Sequence, residues 1–186
     1  MFPIFEQRNG SGIGCDINTF LTHFYTIASH HIRMRRAKNF AFIFYDFTDK
    51  EFKRVLKREG IFARLDRLSG NDMTIFYIHT GSSMETMHKF NQKFMQLFGL
   101  QKDSPLPCIV FCRTDDTGFR DISIADLSSF DSMTYFHELY DSVEKYIQGG
   151  SEAVNNQYTW FKRVNKFVAL EVVKAFITKI IESFFK

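Results

Sequence analysis

Cysteine is scarce in this chain. Cys15, Cys108 and Cys112 are the only three among 186 residues, and no two form a Cys-x-x-Cys pair. An odd, sparse set excludes a disulfide scaffold and suits a reducing compartment. Charge of one sign is also missing: 24 Lys and Arg stand against 21 Asp and Glu, a net charge of +3 that does not mark the whole molecule as a polyanion binder. No uninterrupted apolar run reaches the length that spans a bilayer. Met1 to Gly14 has neither a basic start nor a sustained apolar stretch, so no signal sequence is expected and a cytoplasmic protein is the default. Low-complexity stretches and internal repeats are absent.

What is present is phenylalanine. There are 23 Phe against seven Tyr and one Trp, in a chain that is 45% hydrophobic and 24% charged. That balance belongs to an ordinary globular domain. Phe has no polar handle, so most of these rings must lie in a core or an interface.

Helical spacing of Ile17, Phe20, Leu21, Phe24, Ile27 and Ala28 predicts an N-terminal helix capped by Asp16. Phe40 to Phe47 is nearly continuous in apolar residues, as a strand buried on both faces requires. Thr48 with Glu51 reads as a capping box opening a helix. Met73 to His79 is a second strand, parallel to the first because a helical crossover joins them. A helix over Met84 to Phe98 ends at Gly99. Cys108 to Cys112 and Phe119 to Ile124, joined by Asp115-Asp116-Thr117-Gly118, read as an antiparallel hairpin. A helix from Phe130 to Ile147 stops at Gly149-Gly150, and Ser151 to Lys186 reads as one long amphipathic helix. The domain division is thus an N-terminal segment (1–38), an α/β core (39–148) and a C-terminal helix (149–186).

Within that core, Pro105-Leu106-Pro107-Cys108-Ile109-Val110-Phe111-Cys112, followed by a turn, a strand and a helix, resembles the second half of a thioredoxin-like domain. The resemblance covers Asn39 to Gln148. It implies a β-α-β-α-β-β-α three-layer sandwich with a mixed four-stranded sheet, and a cis proline at Pro107 beside a groove that can pair with an extended peptide. The redox members carry Cys-x-x-Cys where the first strand meets the first helix. Here that position reads Tyr45-Asp46-Phe47-Thr48-Asp49-Lys50-Glu51. Without a cysteine there, disulfide exchange by the family's mechanism is excluded, while Asp46, Thr48, Leu106 and Pro107 remain as groove positions.

Other candidates rank below the scaffold. Cys108 and Cys112 are four apart on a strand, about 13 Å, beyond the roughly 7 Å between Cα atoms that a disulfide tolerates. Cys108 alone, beside the proline, is a candidate thiol, with a buried apolar role as its ordinary alternative. Asp46 and His79 both end parallel strands and form a candidate acid–base pair, although a solvated histidine is the plainer reading. No histidine spacing suggests a metal, and no cofactor is expected. Gly10, Gly12 and Gly14 lack a phosphate-loop pattern. The basic run with Arg33, Arg35, Arg36 and Lys38 is a candidate phosphate or nucleic-acid contact, or simply a solvated helix end. Trp160, Phe161, Phe176, Ile180 and Phe184 are candidate interface residues of the last helix. The leading expectation is a non-enzymatic interaction or adaptor protein that self-associates or binds a protein partner. The alternatives are an enzyme using the groove and a nucleotide or nucleic-acid binder.

Overall fold

A computed structural model describes residues 26, 28–30, 32–34, 38–46, 48–57, 64–65, 67–70, 72–77, 84–100, 104–131, 134–155, 161–164 and 166–185. The continuous apolar run becomes strand β1 (Lys38–Phe44), which sits between parallel β2 (Met73–Tyr77) and antiparallel β3 (Cys108–Thr114). Strand β4 (Gly118–Asp126) pairs antiparallel with β3, and β5 (Phe161–Val164) with β4, giving the order β2-β1-β3-β4-β5. A short β6 (Val168–Ala169) pairs with the other end of β4. Among the described residues the strands are accompanied by α1 (Lys50–Lys57), α2 (Met84–Leu97), α3 (Tyr135–Asn155) and α4 (Leu170–Phe185). Further helical residues lie at 26, 28–30, 32–33, 64–65 and 67–69.

Successive side chains of a strand point to opposite faces, and each face here has its own core. Phe40, Phe42 and Phe44 of β1 join Phe76, Val110, Cys112 and Phe119 on one side, covered by α2 and α4 through Phe94, Phe98, Val173 and Ile177. Ala41, Ile43 and Tyr45 join Ile75, Ile109 and Phe111 on the other, covered by α1 and α3 through Phe52, Leu139, Val143 and Tyr146. The architecture is therefore α/β, a mixed sheet between two helical layers.

Much of the phenylalanine surplus is spent in these cores. The Phe42 ring lies 5.3 Å from each of Phe76, Phe94 and Phe98. Phe111 stacks on Tyr146 at 4.6 Å.

Strand β4 carries a bulge. Thr114 faces Phe119 and Arg113 faces Arg120, but Phe111 faces Ser123, so β4 spends an extra residue opposite Cys112. Asp121 takes up the difference with φ 52°, in the left-handed region that Asp tolerates better than most residues. The Tyr146 hydroxyl donates to the Asp121 carbonyl at 3.0 Å, and Arg163 lies 3.5 Å from its carboxylate. The bulge also switches the parity of the strand, so that Phe119 and Ile122 face the same core.

Three expectations are corrected. The sheet has six strands rather than four. Residues 149–186 are not one helix: α3 runs on to Asn155 past a non-helical Gly150 (φ 63°, ψ −158°), and the last helix begins only at Leu170, after β5 and β6. Phe161 belongs to β5, where it packs 5.9 Å from Phe111. Thr48 is not the helix cap either. Asp49 is, accepting from the Phe52 amide at 2.9 Å, while Glu51 pairs with Arg54 at 3.2 Å. Asp49 is the better cap because Thr48 is already held by Asp46. The N-terminal features at Gly10, Gly12, Gly14 and Asp16 lie outside the described residues.

Candidate functional site

The register that pairs Phe44 with Cys108 positions the candidate groove. Tyr45 and Asp46 follow β1, and Leu106 and Pro107 precede β3, at that edge of the sheet. The Leu106–Pro107 peptide is cis. The Pro107 carbonyl accepts from the Leu127 amide at 2.9 Å, which ties this segment to the end of β4. Leu106 is half-buried and packs against the Phe-rich core, Pro107 is buried, and Asp46 and Thr48 are exposed.

Two aspartates rim this edge. Asp46 Oδ1 accepts from the Thr48 amide at 2.8 Å and from its hydroxyl at 2.7 Å. Asp126, opposite Cys108, makes the same turn with Ser128, at 2.9 Å from the amide and 2.6 Å from the hydroxyl. Asp and Ser or Thr two residues apart favour such turns because the short side chain substitutes for a backbone acceptor. The Thr48 amide, then its hydroxyl, hold the Asp46 carboxyl below the ordinary carboxylate range; partial burial opposes this, and His88 adds a smaller pull downward.

That lowered pKa means the turn stabilises the fold above the ordinary carboxylate range, a contribution lost as pH falls through the pKa of Asp46 in the folded chain. Thr48→Ala should raise the Asp46 pKa part of the way back, because the hydroxyl bond goes and the amide bond stays. A carboxyl-carbon NMR titration reads this directly, and an unmoved Asp46 pKa would show that the hydroxyl contributes nothing.

Among the described residues, His88 is a histidine whose charge reaches Asp46. The Asn91 amide, one turn further along α2, donates to the Tyr45 carbonyl at 3.3 Å and fixes that helix over the end of β1. His88 is thereby held near enough to Asp46 for its charge to be felt, while its ring nitrogen lies 3.0 Å from Gln92. Nothing in the local sequence distinguishes His88, because only the packing of α2 on β1 brings it to Asp46. His79, the expected partner, lies outside the described residues.

The thiol candidate fares differently. Cys108 is 0% exposed, within the core between β1 and α2. Burial, and secondarily the charge of Asp126, push its thiol well above the ordinary range, and Cys112 is raised in the same way. Neither thiol is presented to solvent, and burial disfavours the thiolate that a nucleophile requires.

The remaining candidates are dispersed. Arg33 donates to the Ser29 carbonyl at 3.3 Å from a helical turn, whereas Lys38 already belongs to β1; Arg35 and Arg36 lie outside the described residues. Phe176 meets Phe94 edge-on at 5.7 Å, so α4 packs on its own domain. Ile180 and Phe184 fall within α4, with side chains outside the described residues, as is Trp160. Among the described residues no three His, Cys, Asp or Glu side chains gather as a metal site, and no helix is long and apolar enough to cross a membrane.

Comparison with protein-family models, with curated proteins and with solved structures finds no match to this chain.

Proposed function

We propose that this chain is a non-redox, thioredoxin-like adaptor whose groove beside Pro107 binds an extended, basic segment of a protein partner. The strand order β2-β1-β3-β4, with β1 and β2 parallel and β3 and β4 antiparallel, supports the thioredoxin-like reading. So does the cis Leu106–Pro107 peptide at the mouth of β3. The observation that carries the function is a partly exposed Leu106 at the mouth of β3 together with a missing nucleophile. Leu106 is partly exposed there, whereas Cys108 is sealed in the core and β1 is followed by Asp46 and Thr48. The carboxylates of Asp46 and Asp126 suit Lys or Arg in the bound segment. Because Phe161 and Phe176 are engaged within their own chain, the groove is the better partner surface than the last helix.

Selection of random peptides displayed on phage against the full chain tests the reading. Enriched sequences should be basic and extended, and Leu106→Glu should weaken their binding by about tenfold or more, the scale of losing one buried contact at the centre of an interface. The same protein should leave Cys108 and Cys112 unlabelled by a maleimide until it is denatured. Peptides that bind Leu106→Glu as well as the parent chain would sink the groove assignment, and rapid labelling of native Cys108 would reopen thiol chemistry.

A further inference from the structure

A second cleft lies on the opposite helical layer, between the helical residues at 64–65 and 67–69 and α3. It measures about 700 Å³ and is lined by Arg64, Arg67, Leu68, Phe136, His137 and Tyr140. That is the size of an ordinary small-molecule site, roughly 300–1,000 Å³.

Its charge distribution is unusual. Arg64 and Arg67 are exposed and one helical turn apart, a spacing at which like charges repel. Among the described residues neither guanidinium is paired with a carboxylate. Arg64 lies over the Phe136 ring, 5.7 Å from its centroid, which holds the cation against an apolar floor. Phe136 and Tyr140 stand 6.0 Å apart and extend that floor along α3. Asp141, the carboxylate one turn beyond His137, is shared between His137 at 3.8 Å and Lys145 at 3.7 Å.

A second basic cleft, of about 540 Å³, shows what an occupied set of cations looks like. It contains Arg120, Arg163 and Lys166. There Arg120 pairs with Asp115, Arg163 with Asp121, and Lys166 donates to the Gln96 carbonyl at 3.2 Å. Among the described residues, Arg64 and Arg67 have no such carboxylate partners.

We infer that the Arg64–Arg67 cleft is a binding site for a phosphate monoester that carries a planar ring, a nucleoside monophosphate being the fitting class. The guanidinium fork matches phosphate oxygens in pairs, and the flat face of Arg64 with the rings of Phe136 and Tyr140 receives the ring. The inference does not depend on the thioredoxin-like reading, since it uses a different face and different residues.

Calorimetric titration of the full chain with adenosine monophosphate, adenosine and inorganic phosphate, at low and high salt, tests it. The monophosphate should bind more tightly than either fragment and more weakly at high salt. Arg67→Glu should weaken it by about tenfold or more with an unchanged melting temperature, since Arg67 is exposed, while Arg163→Gln should leave it intact. Absence of monophosphate binding overturns the site, as does affinity unaffected by Arg67→Glu. Inorganic phosphate binding as tightly as the monophosphate removes the ring from the assignment, adenosine doing so removes the phosphate, and a loss confined to Arg163→Gln moves the anion to the other cleft; each result refutes the inference.

Discussion

Phe94→Ala is expected to cost about 3–5 kcal/mol of folding stability, the range for truncating a fully buried aromatic ring. Phe94 is 0% exposed and joins three elements: its ring lies 5.3 Å from Phe42 and 5.8 Å from Phe44 on β1, and 5.7 Å from Phe176 on α4. It also meets Phe98 edge-on at 5.4 Å. Removing it leaves a cavity that rigid rings on three sides cannot close. At about 2–4 °C per kcal/mol for a chain of this size, the melting temperature should fall by about 10 °C. Phe176→Ala, which truncates a half-buried ring, should cost about half as much or less. The two losses should be less than additive, because Phe94→Ala already removes their shared contact. Equal effects of the two substitutions would show that α4, rather than the α2–β1 seam, holds this core.

Gly118→Ala is the second large effect, by about 1–3 kcal/mol, and its cause is overpacking. A Cβ at Gly118 would sit 2.3 Å from the Val168 carbonyl oxygen and 3.0 Å from the Ala169 Cα. Both are backbone atoms of β6, which cannot rotate away as a side chain would. Strand β6 must therefore move off β4, and α4 begins at the next residue. Hydrogen exchange should accelerate at Val168 and Ala169 more than in the β3–β4 hairpin. Uniform acceleration across the sheet would mean that β6 is not the element displaced.

The legible parts of the fold share a property: their signal is local. The apolar run from Phe40 identified β1, the Asp115-to-Gly118 segment identified the hairpin turn, and Gly99 (φ 80°) closed the α2 segment as a left-handed residue. The strands at the C-terminal end were not legible, for a geometric reason. Strands β5 (161–164) and β6 (168–169) form an edge that is interrupted at 166–167, beside the β4 bulge at Asp121. The interruption breaks the two-residue alternation of a strand. The apolar positions that reach the cores are Phe161 on one face and Val164 and Val168 on the other, spaced three and four apart as on a helix. Periodicity alone cannot separate the two cases.

The site divides along the same line. Asp46 and Pro107 were identifiable because their positions follow from strand ends, and the lack of a cysteine between Tyr45 and Glu51 is a fact of the sequence itself. By itself the sequence determined an α/β chain without a Cys-x-x-Cys pair. Tertiary structure decided the rest. It buried Cys108 between β1 and α2, brought His88 toward Asp46, and set Arg64 against Phe136. Those outcomes depend on which helix covers which face of the sheet. Residues far apart along the chain carry no mark of that neighbourhood until both cores have packed.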